Sequence, residues 1–326
     1  MSFRMVNNSS LKNPFKNLSR FGPRLSLIFN KYIPTRNYSL THFTGDRENM
    51  ISFATHIQQL TLGAIYCNFN YYNFYSRPHP YIEDFSIINN NLSSYFSLFK
   101  KRYRFFYFDR PETNFFKRKD YFTNNENDFP IKEIEKKDYI NSFHDFNKNY
   151  LYHKLLIKKD LDIDKDTLVI HIRTGDIFYN DWHSLYSQNP LSYYLKISKD
   201  YKKVIVVSGK ENNNPVIDLL KHNDKFSFQS SSFIDDFNVL LNAKNLATSG
   251  VSGFPLSAAL MSQKLENFYH SDLYLKEHLN PEMLNTSRVN IHSYKILNYI
   301  TPKEFKRSKE NLTKLLDDDI SKVVKI

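Results

Sequence analysis

The sequence predicts an α/β fold built on a parallel sheet covered on both faces. From residue 167 onward, short apolar runs of strand composition alternate with helical stretches, joined by short loops. Those runs are apolar throughout instead of alternating with polar residues, as strands buried on both faces must be. At 326 residues and 41% hydrophobic, the chain can bury a large core and has the length of about two domains.

The first forty residues differ from the rest. Arg4, Lys12, Lys16, Arg20, Arg24, Lys31 and Arg36 meet no acidic residue before Asp46, in a context of Ser and Asn. Residues 1–39 are therefore expected as a basic, flexible segment. It has the composition of a mitochondrial transit peptide, with Arg36-Asn37-Tyr38-Ser39 resembling a processing site. Pro14, Pro23 and Pro34 break the amphipathic helix such a peptide needs, so a cytoplasmic protein with a basic arm touching membrane surfaces is the first expectation.

An amino-terminal lobe is expected over 40–150. Met50, Phe53, Ala54, Ile57, Leu60, Leu62, Ala64 and Ile65 predict a buried helix over 50–66. Lys100 to Phe108 reads as a strand entering a loop at Arg110-Pro111, and 117–148 as exposed helices or a connection. A second lobe is expected over 151–302. Strands are predicted at 167–172, 203–207, 226–228, 245–248 and 267–269, and helices at 190–198, 215–221, 233–243 and 254–262. The remaining 303–326 reads as a charged helix or tail.

Composition excludes some chemistry. Cys67 is the single cysteine, so intramolecular disulfides and cysteine-based zinc sites are ruled out. No run approaches the ~20 apolar residues of a membrane span, which predicts a soluble or peripheral chain. A formal net charge of +11 favours anionic partners: nucleotide phosphates, nucleic acid or membrane surfaces.

The segment His171-Ile-Arg-Thr-Gly-Asp176 ends the strand at 167–172. Ligands of open parallel sheets bind beyond the carboxyl ends of strands. Arg173 offers a planar fork of donors suited to a diphosphate. Gly175, one of only 7 glycines, permits positive φ or close backbone approach. Asp176 is expected to orient Arg173 or bind loop amides, and His171 to face the cleft or the core. Downstream, Ser249, Gly250, Ser252 and Gly253 form a small-residue turn before a helix, a natural anion site or an ordinary helix cap.

These two blocks carry a resemblance. His171-Ile-Arg-Thr-Gly-Asp176 resembles the His-x-Arg-x-[Gly/Thr]-Asp motif of the fucosyltransferase superfamily that uses GDP-fucose, α1,2-fucosyltransferases included. Asp236 to Ala259 is similar to that superfamily's downstream block, in which an acidic residue opens a helix and a Ser-x-Phe turn starts another. Gly45, Asn49, Met50, Phe53 and Ala54 echo the opening of the α1,2 enzymes, without its Gly-Gly pair. Thr174 stands where many members carry a second Arg.

The resemblance implies a GT-B-like architecture of two Rossmann-like lobes, with donor on the carboxyl-terminal lobe and a glycan acceptor facing the amino-terminal one. It implies inverting transfer of a sugar, fucose first, from a nucleotide-sugar donor to a hydroxyl of a glycan. Arg173 would grip the β-phosphate, and Asp235 or Asp236 would contact guanine. Gly175, Ser249, Ser252, Gly253, Phe254 and Asn49 would complete the donor site. Arg173, Asp176, His171 and Glu48 are the expected catalytic set, with Asp46, Asp181 and His183 as further candidates for the base. Trp182, His183 and Tyr186 would shape the sugar or acceptor pocket, or simply pack. No metal or other cofactor is expected, because Arg173 and a helix terminus supply positive potential; Asp162-Ile-Asp164 reads as a solvated loop. Three alternatives stay open: a catalytically inactive nucleotide- or glycan-binding protein, a transferase using another nucleotide sugar, and a basic nucleic-acid binder using 100–108. Nucleic acid is not the expected partner, since no motif for it is present.

Overall fold

A computed structural model of the protein describes residues 38–42, 53–69, 73–76, 79–87, 101–105, 136–179, 182, 184–211, 213–276, 278–300 and 304–326. The basic segment 1–37 and residues Asp46, Glu48, Asn49, Asp181 and His183 lie outside the described residues. The chain divides into two compact units, Met1–Phe146 and Asn147–Ile326.

In the first unit, β1 (Tyr38–His42) pairs in parallel with β2 (Asn73–Tyr75) and β4 (Lys101–Phe105), and β3 (Ser86–Ile87) adds antiparallel to β2. Helix α1 (Phe53–Phe69) packs on β1 and β2 and against α2 (Lys136–Phe146). Its residues Ile57, Leu60, Leu62, Ala64, Ile65 and Cys67 are all buried. Apolar residues on more than one face of a helix require cover on more than one face, which sheet and helix together provide. Burial pushes the Cys67 thiol well up, so it is inert rather than nucleophilic. The predicted strand near 100–108 corresponds to β4.

The second unit is a seven-stranded sheet with helices on both faces. It comprises β5 (Thr167–Ile172), α3 (Leu191–Ser198), β6 (Lys203–Ser208), α4 (Pro215–Leu220), β7 (Phe226–Gln229), α5 (Phe233–Leu241), β8 (Asn245–Ala247), α6 (Gly253–Met261), β9 (Asn267–Ser271), β10 (Asn290–Ile296), α7 (Lys309–Leu315) and β11 (Val323–Lys325). The spatial order is β11-β10-β9-β8-β5-β6-β7, parallel except for β11. This is a Rossmann-like α/β arrangement. The chain runs outward from β5 to β7, then returns to lay β8 on the other side of β5, so the order reverses between β5 and β8.

Every residue of β5 is buried, as expected for the central strand. Leu168, Ile170 and Ile172 face one layer, where they join Leu191, Tyr194 and Ile197 of α3 and Val216, Ile217 and Leu220 of α4 in one core. Alternation turns Val169 and His171 to the opposite face. There α5 contacts β5 and β6, and α6 contacts β8 and α5.

The extended entry to β5 is fastened to α5 by asparagines. Asn238 donates to the Ile157 carbonyl and accepts the Lys159 N–H, while Asn242, one turn on, donates to the Lys159 carbonyl and accepts the Leu161 N–H. Each amide replaces a missing strand partner, so backbone beside a helix keeps its hydrogen bonds.

In the first unit β1, β2 and β3 went unpredicted, and β1 begins at Tyr38, inside the segment expected to be flexible; in this sheet two more strands did. β10 (Asn-Ile-His-Ser-Tyr-Lys-Ile) carries four polar residues and is only partly buried, which leaves no apolar run to read. The tail expectation is corrected: α7 is there, but Val323–Lys325 pairs antiparallel with β10 and closes one edge of the sheet. Three residues are too short to show a strand period.

Candidate functional site

The carboxyl ends of β5 and β8 lie side by side at the point where strand order reverses, and the two motif blocks leave from those ends. Their meeting point is His171. Its Nδ1 lies 3.5 Å from both Ser249 Oγ and Ser252 Oγ, and its ring meets Phe254 edge-on at 5.5 Å. Burial, then the neighbouring Arg173 charge, lowers the His171 pKa to about 3, so the ring is neutral here. Between about pH 3 and its ordinary 6.5, the unfolded chain binds a proton that the folded one does not. Stability should therefore fall as pH drops through that window, by ~1.4 kcal/mol per pH unit from this group. Urea titrations at pH 4 to 7 should show a slope shallower by that amount in His171→Gln; equal slopes would place the proton elsewhere.

Past His171 the chain turns out of the sheet. Gly175 has φ +78°, a conformation that favours glycine; a Cβ there would meet the carboxylate of exposed Glu211 at 3.3 Å, which a small shift of that side chain relieves, so the backbone angle is the stricter requirement. The loop after β6 grips this turn. Asn213 accepts the Gly175 N–H at 2.9 Å and donates to the Gly175 carbonyl at 3.0 Å. Asn214 donates to the Arg173 carbonyl at 2.8 Å while its oxygen caps α4 through the Val216 N–H. Neither asparagine was expected in the site, although Asn214-Pro215 carries the signature of a helix start. The Thr174 hydroxyl is buried, and a Cβ on Gly209 would come within 2.4 Å of it. A second Arg at position 174 has no room unless that loop moves.

Arg173 leaves the sheet with its side chain 24% exposed. Nη2 donates to both oxygens of Asp176, at 3.1 and 2.9 Å, and the guanidinium carbon lies 4.4 Å from the centre of the Tyr186 ring. Among the described residues, Arg173 makes its guanidinium hydrogen bonds through Nη2. Asp176 thus orients one corner of the fork and leaves Nε and Nη1 for a ligand.

The turn after β8 forms the other half. Gly250 has φ +103°. Ser252 is the cap position of α6, yet its side chain caps no amide and lies toward His171 instead. No Ser252 cap therefore takes the first-turn N–H groups of this nine-residue helix, and such groups can receive an anion. Gly253 begins the helix, and Phe254 packs against Phe233 and Phe237 of α5 at 5.5 and 5.7 Å.

The two aspartates of α5 differ. Asp235 is exposed, held by Lys159 at 2.6 Å and by the Ser232 hydroxyl, which together keep its carboxyl below the usual range. Asp236 is buried and accepts the Ser231 N–H and Gln229 Nε2, tying the end of β7 to α5. Burial pushes its carboxyl up. Trp182, at φ +62°, stacks on Phe305 at 5.0 Å and meets Phe178 edge-on, so its indole is engaged in packing. Asp164 accepts the Asp166 N–H in the turn before β5, and among the described residues no cluster of His, Cys, Asp and Glu has the arrangement of a metal site. No described helix is long and apolar enough to cross a membrane.

His171, Arg173, Gly175, Asp176, Ser249, Ser252, Gly253 and Phe254 therefore converge on one mouth of the sheet. Gly175, Gly209, Gly250 and Gly253 place four of the chain's 7 glycines around it. No protein-family model matches the chain, and no curated protein matches it.

Proposed function

We propose that this protein is a glycosyltransferase that moves a sugar from a nucleoside-diphosphate donor, GDP-fucose first, to a hydroxyl of a glycan acceptor with inversion. The observation that carries the reading is the pairing of two anion grips at the point of strand-order reversal. One is the guanidinium edge of Arg173 and the other the uncapped amino terminus of α6, joined through His171. A diphosphate leaving group needs such a pair. As the acceptor oxygen bonds to the sugar carbon, the bond from that carbon to the β-phosphate oxygen breaks. Negative charge then grows on the diphosphate, and fixed donors aimed there favour the transition state over the ground state. The acceptor proton passes to a base. The donor would sit on the carboxyl-terminal unit of a GT-B-like pair of lobes, with no metal in the step.

Asp235 and Asp236 would act from the first turn of α5, beside the phenylalanines that flank Phe254. Asp235 would have to exchange Lys159 for a guanine edge; Asp236 would keep its two present partners and offer its remaining lone pairs.

A thermal-shift series with GDP, UDP, dTDP and CMP compounds tests the donor. At a hundred times its Kd a ligand stabilises by ~2.7 kcal/mol, so a guanine-selective rise of several degrees is expected. A response to UDP alone would sink the guanine assignment. Binding of GDP-fucose with no turnover on any glycan acceptor would make the chain a nucleotide-binding protein rather than a transferase.

A further inference from the structure

The segment Tyr186–Asn189 touches both halves of the site. On one side it is stitched to the turn after β8: Asn189 N–H donates to the Ser249 carbonyl at 2.9 Å, Val251 N–H to the Ser187 carbonyl at 3.1 Å, and Gln188 forms a bridge with Gly250. The Asn189 side chain adds a donation to the Thr248 carbonyl at 2.9 Å and accepts the Ser271 hydroxyl. Tyr299 Oη holds the Gln188 carbonyl at 2.7 Å. On the other side, the first residue of the segment lays its ring under the Arg173 guanidinium, 4.4 Å from centroid to carbon. The same ring is backed by His278, edge-on at 5.9 Å.

We infer that Tyr186 is a positioning residue that fixes the Arg173 guanidinium in register with the Ser249–Gly253 turn. The inference rests on the reading of these two elements as a diphosphate site. The contact works through the face of the ring, because a cation is drawn to the π-cloud and a flat guanidinium stacks on it. Asp176 fixes one nitrogen of the fork but leaves the plane free to swing about that contact; the ring removes this freedom. Since the ring belongs to a segment hydrogen-bonded to residues 248–251, Arg173 is referenced to the second grip and not only to its own strand. An ordered fork loses less rotamer entropy when an anion binds.

A double-mutant cycle reads this. Affinity for GDP, UDP and inorganic pyrophosphate would be measured by calorimetry on wild type, Y186L, Y186F, R173A and R173A/Y186L. Y186L should weaken whichever of the three binds by about fivefold. Y186F, which keeps the ring, should recover the loss, and Y186L should have no further effect once Arg173 is Ala. Equal weakening by Y186L with and without Arg173, or none at all, overturns the inference while leaving the diphosphate reading in place. Wild-type affinity in R173A, or no binding of any probe by wild type, overturns that reading and the inference with it. A ligand-free readout runs in parallel. The Arg173 side-chain N–H resonances should lie upfield in wild type and Y186F, through the ring current, and move to ordinary positions in Y186L. Unmoved resonances would show that the ring does not order the guanidinium.

Discussion

Arg173→Ala should lower the proposed sugar transfer by about 10² to 10³-fold while leaving the protein folded, because the side chain lies partly exposed at the mouth of the sheet and not in the core. Its structural partners are an aspartate that is 66% exposed and the face of one tyrosine. An exposed ion pair of this kind contributes roughly 0 to 1 kcal/mol, so the melting temperature should move by only a few degrees. The catalytic cost is larger, since removing one preorganised donor from a developing oxyanion costs about that 10² to 10³ in kcat. If Arg173 acts on the leaving group, kcat and kcat/KM should fall together, the mark of an interaction made in the transition state. Arg173→Lys should recover only a part. An ammonium keeps the charge, but its single nitrogen cannot hold Asp176 and offer separate coplanar donors to a ligand at the same time. Steady-state kinetics with far-UV circular dichroism measure both halves; near-wild-type transfer by Arg173→Ala would remove the motif from the chemistry.

The strand ends were legible in the sequence because their signals are local. An apolar run stopping at His171 and a glycine three residues past the strand's last isoleucine mark a loop leaving a buried strand. The Ser249–Phe254 turn was legible for the same reason, as small residues precede a helix. What joins the two was not. The strand order that puts β8 beside β5 is a property of the whole sheet, and nothing in residues 171–176 encodes it. Asn213 reaches the motif from a separate loop 38 positions away, with a residue type common in any surface loop; Tyr186 was singled out for the pocket, but its contact with Arg173, 13 positions away, was not foreseen. Asp236 shows the opposite limit. The sequence expected a nucleotide contact from an acidic helix start, and its visible contacts are to Gln229 and Ser231, within the fold. A carboxylate in a first helical turn satisfies backbone donors whether or not a ligand exists.

Gly250→Ala should be the most damaging small substitution in this half of the chain. Its φ of +103° lies where a side chain is strained, at a cost of about 1 to 3 kcal/mol. Space makes the cost worse, because a Cβ there would lie 2.5 Å from the Ser187 carbonyl oxygen, with Asn189 N and Gln188 Cα at 3.4 Å. That carbonyl cannot retreat freely, since it accepts the Val251 N–H, and a buried donor left without its acceptor costs another ~1 to 3 kcal/mol. For a unit of this size the sum corresponds to a fall in melting temperature of roughly 5 to 15 °C. Gly253→Ala is the control. It sits at a helical position that is not among the positive-φ glycines, and it should be nearly neutral for stability. Differential scanning calorimetry on both variants separates the backbone requirement from a general intolerance of the turn. The effect should also reach the ligand. Displacing Ser187 moves the segment that carries Tyr186, so Gly250→Ala should weaken diphosphate binding below the melting transition, although residue 250 need not touch the anion. A variant that melts early yet binds GDP with unchanged affinity at low temperature would show that the Ser187–Gly250 contact serves the fold alone.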